Sequence, residues 1–182
     1  MRMTYYGGKE LAASFRTVRN NTIQIAEEID EKDYGFKATP ETKTVAQMLL
    51  HIHSTTIFPL IVHRDHKLTT MQGFNFMAVL GPVMAEEQKP HTKAEIIAKL
   101  KQSRDEFGDW LENLPESFLA ESVQQPEGED KSRFQMILGQ KEHEMHHRGQ
   151  LMLMVRMLGG VPHMTRRMQE RMAQMQAAMA QK

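Results

Sequence analysis

His143 and His147 stand four residues apart in the run His143-Glu144-Met145-His146-His147. On a helix that spacing sets the two side chains one above the other and lets both turn a ring nitrogen toward a single ion. His146 is rotated about 100 degrees away from His147 around the helix and belongs to the flank, although a spacing of three also allows it to pair with His143 in the manner of a Glu-x-x-His motif. A third candidate lies in an earlier segment, where His51 is in register with Met48 and Thr55 while His53 points to nearly the opposite side with Leu49 and Leu60. Three imidazoles on core-facing stripes are costly unless a shared ion or hydrogen bonds satisfy them. The chain has no cysteine, which excludes a thiolate nucleophile and any Cys-ligated zinc or iron-sulfur site, so a metal must be held by His, Asp or Glu. His51, His143 and His147 are therefore the candidate metal ligands, and His53, His63, His66, His91 and His163 are expected to be ordinary hydrogen-bonded residues.

Three neutral imidazoles leave a divalent ion its full charge and at least one open position, the arrangement of a catalytic rather than a sealed structural site. Water bound there has its pKa lowered toward about 7, and a coordinated thiol is deprotonated outright. Without cysteine, such a thiol has to be a small molecule from solution. Zinc and nickel are the expected ions, within an imidazole set that also suits copper and iron. Gln140, Gln150 and Thr55 lie near enough to the stripe to orient the ligands or touch a substrate, although helix packing is the simpler reading and they are not counted as catalytic. Two other readings use the same residues. His143-Glu144-x-x-His147 satisfies the zincin pattern, with Glu144 as general base, but no third ligand follows in the metzincin arrangement and Glu170 is the only obvious acidic substitute downstream. The third reading is a non-catalytic metal-binding or stress-response protein in which the ion serves stability or sensing.

The elements that must position these residues show in the apolar periodicity. Spacings of four and three recur in four segments, each predicting an amphipathic helix. About Gly7 to Ile29, the stripe is Leu11, Phe15, Val18, Thr22, Ile25 and Ile29, with Arg16, Arg19, Glu27 and Glu28 on the wet sides. The second segment starts at a cap, Thr42 or Thr44, and runs to about Val62 through Met48, His51, Thr55 and Phe58, with Pro59 kinking or ending its last turn. His63 to His91 reads as a long crossover whose apolar patch, Phe74 to Val83, forms a short helix or a packed loop. Thr92-Lys93-Ala94-Glu95 is a capping box that opens a third helix through Ile96, Leu100, Ser103, Phe107, Trp110 and Leu114. From Ser132 a fourth helix carries Met136, Gln140, His143, His147, Leu151, Met154 and Leu158 to a stop at Gly159-Gly160. The expected fold is an all-α four-helix bundle over residues 1–164, followed by a Met-rich helical tail, residues 165–182, with Met168, Met172, Met175 and Met179 on one stripe. No strand signal competes.

Composition limits the function further. The 23 basic residues balance the 23 acidic ones, which disfavours nucleic acid and anionic membranes as partners. Phe76 to Ala85 is too short an apolar stretch to span a bilayer, and the first eight residues show no apolar leader. A cytoplasmic protein acting on a small-molecule substrate is the expectation.

The block His143-Glu144-Met145-His146-His147-Arg148-Gly149-Gln150-Leu151, preceded by Val45-Ala46-Gln47-Met48-Leu49-Leu50-His51-Ile52, resembles the DinB (DinB/YfiT-like) family. The similarity extends from about Tyr5 to Pro162 and includes the GGKELA start and the VRMLGGVP end of the last core helix. It implies an up-down-down-up four-helix bundle, often dimeric, with a divalent metal on His51, His143 and His147. It also implies activity like that of thiol S-transferases using bacillithiol or mycothiol, or of a mycothiol-dependent maleylpyruvate isomerase, and hence a low-molecular-weight thiol cosubstrate and a homodimer.

Overall fold

A computed structural model describes residues 6–180. Residues 1–5, which belong to the N-terminal stretch without an apolar leader and include the start of the DinB resemblance, and residues 181–182, the end of the Met-rich tail, lie outside the described residues. The first helix, α1 (Gly8–Glu28), starts where the Gly7 amide donates to Glu10 Oε2. The second, α2 (Val45–Ser54), takes Thr44 rather than Thr42 as its cap. The Thr44 hydroxyl accepts from the Gln47 amide at 3.1 Å, and Gln47 Oε1 accepts from the Thr44 amide at 3.0 Å. Pro59 has no N–H to give the Thr55 carbonyl, and the helix breaks there into the short α3 (Ile57–Pro59) and a wide π-helical turn over Leu60–Asp65. The apolar patch of the crossover is a helix, α4 (Phe76–Glu87), capped by Asn75. Then come α5 (Lys93–Glu112), opened by the Thr92 capping box, and the single turn α6 (Glu116–Leu119). Two-residue strands β1 (Ser122–Val123) and β2 (Lys131–Ser132), unforeseen because so short a pairing leaves no periodicity, clamp the loop before α7 (Arg133–Met157). The glycine stop after α7 is a Schellman turn. The Gly160 amide returns to Val155 O at 2.9 Å and the Gly159 amide to Arg156 O at 3.0 Å, with Gly159 at φ +84°. Finally α8 (His163–Ala180) begins the Met-rich tail, so the expected boundary at 164/165 falls inside its first turn.

Cross-contacts set the direction of each long helix. Arg16 meets Asp109 and Glu112, Asn20 meets Arg104, and Glu27 meets Lys101, so α1 and α5 run antiparallel. Ser14 meets Lys141 and Thr22 meets Glu144, so α1 and α7 run the same way. His51 meets His143 and Thr55 meets Gln140, so α2 opposes α7. The order is up-down-down-up. Because α2 and α5 point the same way, the chain must climb back along the bundle between them. The twelve residues of α4 cover about 18 Å of that return and lie against α2.

The bundle interior is not uniformly apolar. Leu11, Phe15, Phe107, Leu111 and Ile137 form one cluster, and Ile25, Leu49, Ile96, Leu100 and Leu151 belong to another. Arg19 lies within the bundle, 0% exposed, rather than on the wet side of α1. Its Nε donates to both oxygens of the equally buried Glu144, at 2.9 and 3.0 Å. Nη2 donates to the Ile52 carbonyl at 2.9 Å and Nη1 to the Ser103 hydroxyl. A helix flanked by two neighbours and facing a third across the bundle buries a wider arc than one apolar stripe, and a charge can enter that arc when it is fully paired. Val45–Asp65 is also long and apolar enough, by composition, to cross a membrane, a longer stretch than Phe76 to Ala85. In this fold 56% of its most apolar window is buried against the rest of the bundle.

Candidate metal centre

Antiparallel packing of α2 on α7 brings His51 opposite His143 and His147. One ring nitrogen from each lies within 4.8 Å of the others. His51 Nε2 is 3.4 Å from His143 Nε2, which is 2.7 Å from His147 Nε2. The three do not point into the packed core, as the periodicity suggested. His51 and His147 are half-buried and His143 is exposed, so the cluster opens on a groove. The inward face of α7 is instead Ile137, Gln140, Glu144 and Leu151. A turn of 3.6 residues places a residue next to 143 on the core side while leaving 143 and 147 on the shoulder facing α2.

Neighbours orient two of the rings. His51 Nδ1 donates to Glu87 Oε1 at 2.8 Å, and His147 Nδ1 donates to Gln150 Oε1 at 2.8 Å. With those protons spent, the Nε2 atoms of His51 and His147 carry lone pairs that converge on His143 Nε2. Three nitrogens at about 2.0 Å around a tetrahedral ion stand about 3.3 Å apart, which the His51–His143 separation already matches and the His143–His147 pair reaches by a small opening. The donor set therefore fits a divalent ion. Burial, followed by the charges of the other rings, lowers the pKa of His143. Burial likewise lowers that of His147, against a raising hydrogen bond from Gln150. His146 does not join the cluster: its Nε2 accepts from Gln150 Nε2 at 3.2 Å on the flank.

Glu87, near the end of α4, is the residue that spacing could not reveal, since it lies 36 positions from His51. Its side chain is only 3% exposed. Burial alone would raise its pKa, but hydrogen bonds from His51, from Lys43 at 2.7 Å and from Ser54 at 2.9 Å outweigh that and hold it at about 2. A carboxylate on the far nitrogen of a ligand histidine fixes tautomer and ring orientation and raises ligand basicity. Glu144, by contrast, gives its carboxylate wholly to Arg19 and to the Thr22 hydroxyl at 2.8 Å. Among the other histidines, buried His63 accepts from Arg133 Nη1 at 3.0 Å through Nδ1.

The sequence profile of the DinB superfamily matches residues 14–151, three quarters of the chain and a span within which the three clustered histidines lie. The chain belongs to the DinB superfamily. The solved structures with this DinB fold include a DinB-like protein from Bacillus subtilis, 19% identical, with a TM-score of 0.61 over 84% of this chain and 94% of that one. A DinB-like protein from Bacillus cereus is 16% identical with a TM-score of 0.62, over 84% and 93% of the two chains. A protein from Streptococcus pneumoniae is 17% identical with a TM-score of 0.63, over 83% and 91%. No curated protein sequence matches the chain.

Proposed function

We propose that this DinB protein is a metal-dependent enzyme that holds zinc or nickel on His51, His143 and His147 and activates a small-molecule thiol or water for transfer or hydrolysis. The observation that carries the reading is the convergence of three imidazole nitrogens within 4.8 Å at an accessible groove, with Glu87 and Gln150 holding two rings in register. Bound there, the ion supplies positive charge that makes a neighbouring water or thiol nucleophilic near neutral pH. The protein's own part is orientation. Glu87 keeps the His51 proton on Nδ1, Lys43 matches the charge of Glu87, and apolar side chains of α4 border the groove. The zincin reading is disfavoured by Glu144, which is buried in its ion pair with Arg19. The reading also includes a cytoplasmic homodimer with neither nucleic-acid nor membrane partners. The balanced charge supports the absence of nucleic-acid and membrane partners, and the exposed methionines of α8 support a second copy as partner.

The test is elemental analysis of untagged, chelator-free protein beside four single variants. Near-stoichiometric metal, lost in His51→Ala, His143→Ala and His147→Ala and kept in His146→Ala, is expected. Wild-type protein that cannot be loaded with zinc or nickel overturns the proposal. Chelation separates catalysis from a structural role. The histidines sit half-buried or exposed at the groove rather than in the packed interior, so the metal-free protein is expected to keep its helical circular dichroism, whereas unfolding on chelation would favour a structural ion.

A further inference from the structure

We propose that the cavity between α2 and α4 holds the apolar tail of a small amphipathic anion whose charged head reaches the histidine cluster. This rests on the metal reading above and names the ligand class for that site. The cavity is about 390 Å³ and is lined by His51 and His143 together with the apolar Phe58, Phe76, Leu80 and Val83. An apolar cavity of about 150 Å³ accommodates the six heavy atoms of benzene, so on the same scale this one has room for about fifteen heavy atoms.

Three features select the chemistry. First, the polar groups along the wall are engaged with one another: Gln140 Nε2 donates to the Thr55 hydroxyl, and both Ser54 and Lys43 donate to Glu87. A tail that seeks no hydrogen bonds is the complement of such a wall. Second, α4 presents apolar side chains that the chain itself leaves accessible, Phe76 at 39% and Met84 at 55%, and both line the cavity. Third, neutral imidazoles add no charge to a divalent ion, and Glu87, the carboxylate that His51 touches, is already balanced by Lys43. The ion's charge therefore remains for the ligand to meet, and an anionic head does so.

Isothermal titration of the zinc-loaded protein with acetate, butanoate, hexanoate and octanoate tests this, with octylammonium as the charge control and metal content measured on the same samples. Affinity is expected to rise about three- to fourfold per added methylene and octylammonium to bind far more weakly than octanoate. In a Phe76→Ala/Leu80→Ala variant the rise with chain length should flatten while acetate affinity and metal content stay as in wild type. Full metal content with no dependence on chain length, or an unchanged dependence in the variant, overturns the tail site and leaves the metal reading standing. Octylammonium binding as tightly as octanoate overturns the anionic head. Protein that cannot take up zinc overturns both proposals.

Discussion

Glu87 does for His51 what no neighbour in sequence could. Its buried carboxylate, shared among His51, Ser54 and Lys43, leaves the imidazole one available lone pair and one orientation. Replacing it with Gln keeps the shape and removes the charge, so ligand basicity falls while the fold is spared. Glu87→Gln is expected to weaken metal binding about ten- to a hundredfold in competition with a chromophoric chelator, and equal affinity would remove Glu87 from the site. The clustered histidines were legible in spacing alone, because positions four apart share a helical face. Glu87 was not, because the contact depends on where a crossover lands.

Between elements, the decisive feature is the buried Arg19–Glu144 pair that joins α1 to α7 and, through the Ile52 and Leu100 carbonyls, to α2 and α5. An apolar stripe predicts which face of α1 is inside but not that a guanidinium shares it, since a paired charge and a solvated one look alike in sequence. Removing one partner strands the other in the core. Arg19→Met should cost about 3–5 kcal/mol in urea unfolding, and adding Glu144→Leu should recover much of that loss, since an apolar pair needs no desolvation. A fully additive double variant would show that the two residues act separately. The π-helical turn after Pro59 belongs to the same level: proline foretold a break, while the wide turn over Leu60–Asp65 that follows it left no signal in the sequence.

For the whole molecule, stability should depend on acid through a histidine far from the metal cluster. His63 is buried against Arg133 and neutral, with burial, then the arginine's charge, pushing its pKa from 6.5 to about 4. A folded-state value below the unfolded one means the unfolded chain takes up a proton that the native protein resists. Stability is thus full above pH 6.5 and falls as pH drops toward 4, by up to about 3 kcal/mol from this residue. Urea midpoints of metal-free protein between pH 7 and pH 4 should fall less steeply for His63→Gln than for wild type, and parallel curves would refute the assignment.

The four long helices, the caps at Thr92 and Ser132, the glycine stop and the candidate ligands were determined by local sequence, because helical periodicity and capping act over three or four residues. The resemblance to DinB proteins added the order of the helices, which periodicity cannot supply. Tertiary structure decided the rest: that the histidine cluster opens on a groove instead of facing the core, that Glu87 rather than Glu144 serves it, and that Arg19 is inside. Each depends on contacts between residues tens of positions apart, and such contacts are set by how the bundle closes.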